Sequence, residues 1–517
     1  MNYIKKIDIK LVGIIIIAIL SRAVLLGVYP VGIHVDEAYA AYEAYSMLMY
    51  GTDSWGYVNP VYLTVWGSGM SALESYMMMP FIAIWGLNMV TIRLPQMIMG
   101  CLSVIILYLL IKKVANKEMA IWAGLMLAIC PWHIMMSRWG LDANFAPAFI
   151  LLGMYFFVLG LEKDKYFIIS SFFWGLSLYC YALMWIFVPV FLILSIIYCL
   201  KHKKIRVSKY SVSAVIVLGI VALPLMLFVL INMGILSEIR TPYISIPQLV
   251  EFRSDELTLA NVVTNIRDFL RIYIKQYDYN LMNGTPYFGL YYLFSLPFII
   301  LGACVIVKRV IDNARNNRFG YEVFIIFWII ICTAIGLIRS MSIYRANCMN
   351  MSVLIVLVVG IYSFYTKISH VWCKRSIVAL YLISFMAFQI YYFTGYQESI
   401  REMQLAGADD ALEYAVSLKE TNEKNIIRIT GRLRHPQVLF YQEYPTDEFI
   451  ETVEWRNYPA KWISAKQFGY FLWDVDTLNY DDIYIICEDE IDRFKENGFT
   501  IRNYDFCAVA VYENSGK

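Results

Sequence analysis

Long apolar runs separated by short polar punctuation fill the first three-quarters of this chain, starting at Leu11–Val28 and continuing to about Phe393. A bilayer core about 30 Å thick takes roughly 20 apolar residues per helix. The pattern therefore predicts an α-helical polytopic membrane protein of about eleven spans, near 11–29, 93–112, 119–137, 143–161, 166–182, 184–200, 210–232, 288–307, 323–338, 346–365 and 376–394. The basic start (Lys5, Lys6, Lys10) resembles a signal sequence, but no small-residue cleavage site follows Val28, so the first run reads as a retained span.

Beyond Phe393 the apolar runs end. Glu398–Lys419 carries Met403, Ala406, Ala411, Leu412 and Ala415 at helical spacings. Ile426–Thr430 reads as a strand. Asp482–Cys487, Glu488–Asn497 and Phe499–Tyr512 read as strand, helix, and strand or hairpin, with Gly498 as the helix stop. A transmembrane domain over 1–395 followed by a soluble α/β domain over 396–517 is expected. The tail holds no phosphate loop, metal signature or nucleophile motif.

Composition agrees: 60% of the 517 residues are hydrophobic and 16% charged, with mean hydropathy +0.57. Charge adds an orientation. The formal net charge is +2, yet residues 396–517 carry 13 basic and 23 acidic residues. Much of the positive charge elsewhere sits in short loops at Lys112–Lys117, Glu162–Lys165, Lys201–Lys209, Lys308–Arg318 and Lys367–Arg375. The positive-inside rule makes these loops and the N-terminus cytoplasmic, which leaves 30–92, 233–287 and 396–517 outside. Ala72–Gly86 is apolar as well, but counting it as a span would put Lys112–Lys117 outside. It reads instead as an interfacial or re-entrant helix. The basic loops fit topology and lipid headgroups rather than nucleic acid. Most of the ten cysteines fall in spans and none forms a CxxC pair; Cys487 and Cys507 in the tail either bridge or are buried strand thiols. The aromatics of Tyr277–Tyr292 read as an interfacial belt, with sugar stacking or lipid access as the other reading.

Candidate chemistry begins just past the first span, at His34-Val35-Asp36-Glu37-Ala38-Tyr39. Charged groups at a bilayer boundary are costly and mark working sites. Then follow Tyr50-Gly51-Thr52-Asp53, Gly86-Leu87-Asn88 leading to Arg93-Leu94-Pro95, and Arg138-Trp139-Gly140-Leu141-Asp142. In order, spacing and sidedness these motifs resemble the GT-C membrane glycosyltransferases, in the branch of protein O-mannosyltransferases and aminoarabinose transferases. The resemblance covers roughly residues 1–395 and is strongest over 30–145.

It implies a large first outer loop with membrane-parallel helices and a polyprenyl-phosphate sugar as donor. The acceptor would be a protein, lipid or glycan of the cell envelope, reached from the outer face of the cytoplasmic membrane. In that reading Asp36 is the base for the acceptor; the alternative is a helix N-cap. Glu37 orients Asp36, assists the acceptor, or favours the helix start. Asp142 places acceptor or metal, or caps the next span. Cations for the leaving phosphate are expected among Arg345, Arg93 and Arg138, since guanidinium offers paired donors; ion pairing or interfacial snorkelling is the structural alternative for each. Aminoarabinose transferases carry an arginine shortly after the acidic pair. Here Ala38-Tyr39 follows, so the phosphate contact is expected from elsewhere. No cofactor motif is present. If a divalent metal takes part, as in some relatives, His34, Asp36 and His133 are its candidate ligands. A non-catalytic transporter or flippase of lipid-linked sugars would share the apolar composition, but it gives no reason for the paired carboxylates or the outer tail.

Overall fold

The structure, a computed structural model, describes residues 8–252, 261–422 and 426–513. The chain divides into two compact units. One comprises Met1–Val24, Pro95–Met226 and Ser254–Thr394; the other comprises Leu25–Leu94, Leu227–Arg253 and Gly395–Lys517.

The first unit is a helical bundle. Each of the eleven expected stretches holds a helix, and among the described residues seven helices, from Met89–Val114 to Val371–Phe393, are long and apolar enough to cross a membrane. Others are shorter than expected. Helix Ile9–Ala23 stops before the end of its apolar run, and the stretch 119–137 breaks into Lys117–Ile129 and Pro131–Met136. Pro131 explains the break: it has no N–H to donate and is favoured at a helix start. Asp142–Gly160 and Asn347–Lys367 are mostly buried, whereas Leu293–Arg315 and Val371–Phe393 expose most of their apolar surface. Exposed side chains such as Ile300, Ile383 and Ile390 form a surface that lipid solvates and water would not.

Helices Leu296–Arg315 and Asn347–Lys367 meet at glycine. A Cβ at Gly302 would lie 2.0 Å from the Val356 carbonyl oxygen, and one at Gly360 1.8 Å from that of Phe298. Lipid supplies no hydrophobic drive between helices, so close backbone approach at small residues supplies the packing.

The second unit contains helix Val35–Met49, the ladder Tyr62–Leu63 with Met70–Ser71, and helix Leu73–Trp85. At 13 residues the last is shorter than the roughly 20 a span needs. The tail adds a seven-stranded mixed sheet: β1 Ile427–Ile429, β2 Glu454–Trp455, β3 Ala465–Phe468, β4 Phe471–Leu472, β5 Ile483–Cys487, β6 Thr500–Tyr504 and β7 Cys507–Val511, in the order β6-β7-β5-β1-β4-β3-β2. Strand β5 is buried on both faces. Ile483, Ile485 and Cys487 pack with Leu412 and Ala415, while Tyr484 and Ile486 pack with Phe494 and Phe499. The expected strand, helix and hairpin near the C-terminus are present, and Gly498 has φ +82° at the helix stop.

The expected helix over 398–419 is instead two, Gly395–Ile400 and Ala408–Asn422. The chain turns between them at Leu405 (φ +49°) and Gly407 (φ +83°), where a Cβ would meet the Tyr504 carbonyl oxygen at 2.2 Å. Close approach to the β6–β7 hairpin overrides the local periodicity.

Replacing Gly360 with valine should force the two glycine-packed helices apart. A loss of about 1–3 kcal/mol is expected for overpacking of this kind, read as a lower thermal midpoint in detergent; an unchanged midpoint would mean that the contact does not hold the bundle.

Candidate active site

Helix Val35–Met49 begins at an extended His34, whose Nδ1 accepts the Asp36 N–H at 3.2 Å. The cap is therefore the histidine. Asp36 lies two positions past the cap, too far into the helix for the capping role read from the sequence. Its side chain is about a third exposed (32%), and its Oδ1 accepts the indole N–H of Trp66 at 3.1 Å. Trp66 sits at φ +59° just before Gly67 at φ +82°. A left-handed tryptophan costs on the order of 1–3 kcal/mol, and such residues gather at functional sites.

Glu37 points another way. It is fully buried and pairs with Arg93 through two bonds, Nε to Oε1 at 3.0 Å and Nη2 to Oε2 at 3.1 Å. Arg93 also donates to the carbonyls of Leu26 (3.3 Å), Pro30 (2.9 Å) and Gly32 (2.8 Å). All five guanidinium N–H groups are committed, which corrects the expectation that Arg93 is a phosphate ligand. Gly32 itself needs to be glycine: it has φ +68° and packs where a Cβ would stand 2.5 Å from the Gln404 carbonyl oxygen.

Three features of this region carry no sequence motif that marks them. Tyr39 Oη is 2.6 Å from Nε2 of His435, which comes from the tail, and burial pushes that histidine down to about 3, so it is neutral. Gln437 donates to the Ile33 carbonyl at 3.0 Å, and Ile463 N–H donates to the Trp66 carbonyl at 3.0 Å. Both flanks of the acidic helix start are thus tied to the tail.

Further along the helix, buried Glu43 accepts the Ser54 N–H (2.7 Å) and hydroxyl (2.5 Å). Asp53, from the Tyr50–Asp53 motif, accepts the N–H groups of Trp55 (3.0 Å) and Tyr57 (2.8 Å). Burial, and for Glu43 also the Asp53 charge, holds both carboxyls above the usual carboxylate range.

The bundle unit holds the remaining candidates. Arg138 is buried and donates to the carbonyls of Ser21 (3.2 Å), Arg22 (2.8 Å) and Val24 (2.8 Å), with the rings of Tyr392 and Phe393 beside it. It ties the end of the first apolar helix to the Arg138–Asp142 loop. Asp142 is buried and opens a 3₁₀ turn, Asp142–Phe145, whose N-cap is Leu141; its own Oδ1 accepts the Ala143 N–H at 2.6 Å. It is not the N-cap that the sequence suggested as its alternative role. Asp142, Arg345 and Arg339 all lie within electrostatic reach of Tyr181, whose ring centroid is 6.3 Å from that of Tyr344. Arg345 donates to Tyr344 Oη (3.1 Å) and the Ser340 carbonyl (3.0 Å). Asp142 and Arg345, far apart in sequence, thus both lie in the neighbourhood of Tyr181. His133 is buried, and the guanidinium of Arg22 stands 2.9 Å from its Nδ1, a poor setting for a metal ligand. Among the described residues, a cluster of three metal-type ligand groups occurs instead at Cys487, Asp489 and Glu490.

Residues 72–230 match the family model described as dolichyl-phosphate-mannose-protein mannosyltransferase. No curated protein matches the chain in sequence. Among solved structures, the chain is similar to ArnT from Cupriavidus metallidurans bound to undecaprenyl phosphate, with TM-score 0.55 and 12% identity over 98% of each chain. It is similar to the apo form of that protein at TM-score 0.53 and 11% identity, over 97% of each. A weaker similarity, TM-score 0.49 at 14% identity, covers 91% of this chain and 61% of the oligosaccharyltransferase AglB from Archaeoglobus fulgidus. The chain thus shares its fold with ArnT over nearly its whole length, in line with the fold that the order of motifs implied.

Two outcomes test this geometry. Arg93→Ala leaves the Glu37 charge buried without its partner and should cost about 3–5 kcal/mol, whereas the apolar pair Glu37→Leu/Arg93→Met should recover much of it; thermal unfolding of single and double variants in detergent reads both. The folded protein also holds protons on Glu43 and Asp53 at a pH where the unfolded chain has lost them. Their contribution is present in full below the ordinary carboxylate range and is lost as pH rises through the raised folded values. The thermal midpoint should accordingly fall from mild acid toward alkaline pH, and Glu43→Gln should flatten that slope.

Proposed function

We propose that this chain is a glycosyltransferase of the cytoplasmic membrane. It transfers a sugar from a polyprenyl-phosphate donor to an envelope acceptor at the outer face, with inversion at the anomeric carbon. The observation that carries this reading is the contrast between Asp36 and its neighbours. Glu37, Glu43 and Asp53 are buried and bonded inside the protein, while Asp36 is partly exposed, with one oxygen fixed by Trp66. A carboxylate held in place yet reachable is what a base for an acceptor hydroxyl or amine requires.

Asp36 takes the acceptor proton as the acceptor attacks the anomeric carbon, and the bond from that carbon to the phosphate oxygen breaks. Arg345 is the cation for the departing phosphate, and Asp142 places the acceptor. Arg93 and Arg138, bonded to backbone carbonyls, position their loops. The likeness in fold to ArnT, described with undecaprenyl phosphate bound, supports a polyprenyl-phosphate donor, and the basic short loops support an N-terminus inside and a tail outside.

The test is sugar transfer by purified protein from a panel of radiolabelled polyprenyl-phosphate sugars. Asp36→Asn should lower donor consumption by roughly 10²–10⁴-fold, the range typical of general-base loss, with the thermal midpoint unchanged. Equal turnover in variant and wild type would remove Asp36 from the mechanism.

A further inference from the structure

The C-terminal sheet brings two free cysteines face to face. Cys487 closes β5 and Cys507 opens β7, directly opposite in register. Ile483 N–H donates to the Ile426 carbonyl, and the Ile485 carbonyl accepts from Thr430. The odd-numbered residues of β5 therefore turn their backbone groups away from β7, which makes Cys487 and Cys507 a non-hydrogen-bonded pair. Such pairs bring their Cα atoms to about 4.5 Å, inside the separation of roughly 4.4–6.8 Å that a disulfide spans. Both side chains lie on the same face of the sheet.

Their surroundings suit thiol chemistry. Strands β5 and β1 run parallel, and Cys487 stands at their carboxyl end, where open α/β sheets place ligands and chemistry. The loops that follow bring Arg432 to this end, 3.5 Å from Asp489 and 2.8 Å from Glu402. A Cβ at Gly431 would meet nothing within 4 Å, so there is open space beside the loop. Cys487, at the strand end nearest the Arg432 loop, is placed as the nucleophilic thiol, and Cys507, across the ladder, as the resolving one.

We propose that Cys487 and Cys507 are a redox-active dithiol that closes to a cross-strand disulfide, with a peroxide as the oxidant. The Cys487 thiolate attacks one peroxide oxygen; the O–O bond breaks, hydroxide leaves and is protonated to water, and Cys487 becomes a sulfenic acid. The Cys507 sulfur then attacks the Cys487 sulfur. The S–O bond breaks, and a second water departs with the Cys507 proton. Two thiols are oxidised to one disulfide and one hydrogen peroxide is reduced to two waters. A small oxidant suits thiols that are both buried. This does not depend on the glycosyltransferase reading.

The chain provides its own comparison. Cys332 and Cys348 lie 3.6 Å apart, sulfur to sulfur, on two bundle helices, so proximity alone would bridge them equally well. The experiment treats the reduced full-length protein in detergent with hydrogen peroxide, alkylates it after denaturation, and follows both pairs by peptide mass spectrometry. We expect the Cys487 and Cys507 peptides to become linked about tenfold faster than those of Cys332 and Cys348, because the Arg432 guanidinium stands at the end of the tail pair while two apolar helices enclose the other. Arg432→Gln should slow the linkage several-fold, and Cys507→Ser should leave a sulfenic acid on Cys487 that dimedone traps. Full alkylation of both tail cysteines after peroxide, or equal rates for the two pairs, would overturn the proposal. The wild-type comparison of rates stands even if a cysteine variant fails to fold.

Discussion

The buried pair of Glu37 and Arg93 is the constraint on which the rest of the candidate site depends. A guanidinium removed from water must satisfy five donors, and Arg93 does so with one carboxylate and the carbonyls of Leu26, Pro30 and Gly32. These contacts fix three things at once: the chain leaving the first apolar run, the start of helix Val35–Met49, and the start of helix Met89–Val114. Successive residues on a helix point about 100° apart. Locking Glu37 inward therefore turns Asp36 to another side, where Trp66 holds it. The pair that reads as two equivalent carboxylates in the sequence becomes one structural and one available group.

Burial separates the acidic residues of this region by role. The Asp53 charge adds to the cost of ionising buried Glu43, and the bonds of both to Ser54, Trp55 and Tyr57 shape the loop after the helix. They stabilise the region best when a proton is retained. Asp36 alone among these four keeps an exposed face. The tail adds a second layer of constraint through His435, Gln437 and Ile463, which bond Tyr39, Ile33 and Trp66. A tail without a motif of its own is thus part of the support for the acidic helix.

The same logic governs the cysteines and the glycines. Cys487 and Cys507 are ordinary sheet residues until register places them opposite each other, and Gly302 and Gly360 are ordinary helix residues until two backbones touch. In each case a pairing between distant segments, rather than the local residue type, creates the property.

What the sequence determined by itself was the membrane class, the helices of the apolar runs, the α/β character of the tail and the fold shared with ArnT. Hydrophobic length and sidedness are local signals, and the motif order survives when each motif is weak. It also marked the acidic pair. The tertiary structure alone decided that Arg93 binds carbonyls and a carboxylate, that His34 rather than Asp36 caps the helix, that the 398–419 periodicity breaks at Gly407, and that Asp142 and Arg345 both come near Tyr181. The short strands β2–β4 and helices His435–Tyr441 and Thr446–Thr452 were also invisible in advance, because segments of two to seven residues carry too little periodicity to read. A guanidinium's partners and a chain's turns depend on what approaches from elsewhere in the fold, and that information is not written next to the residue concerned.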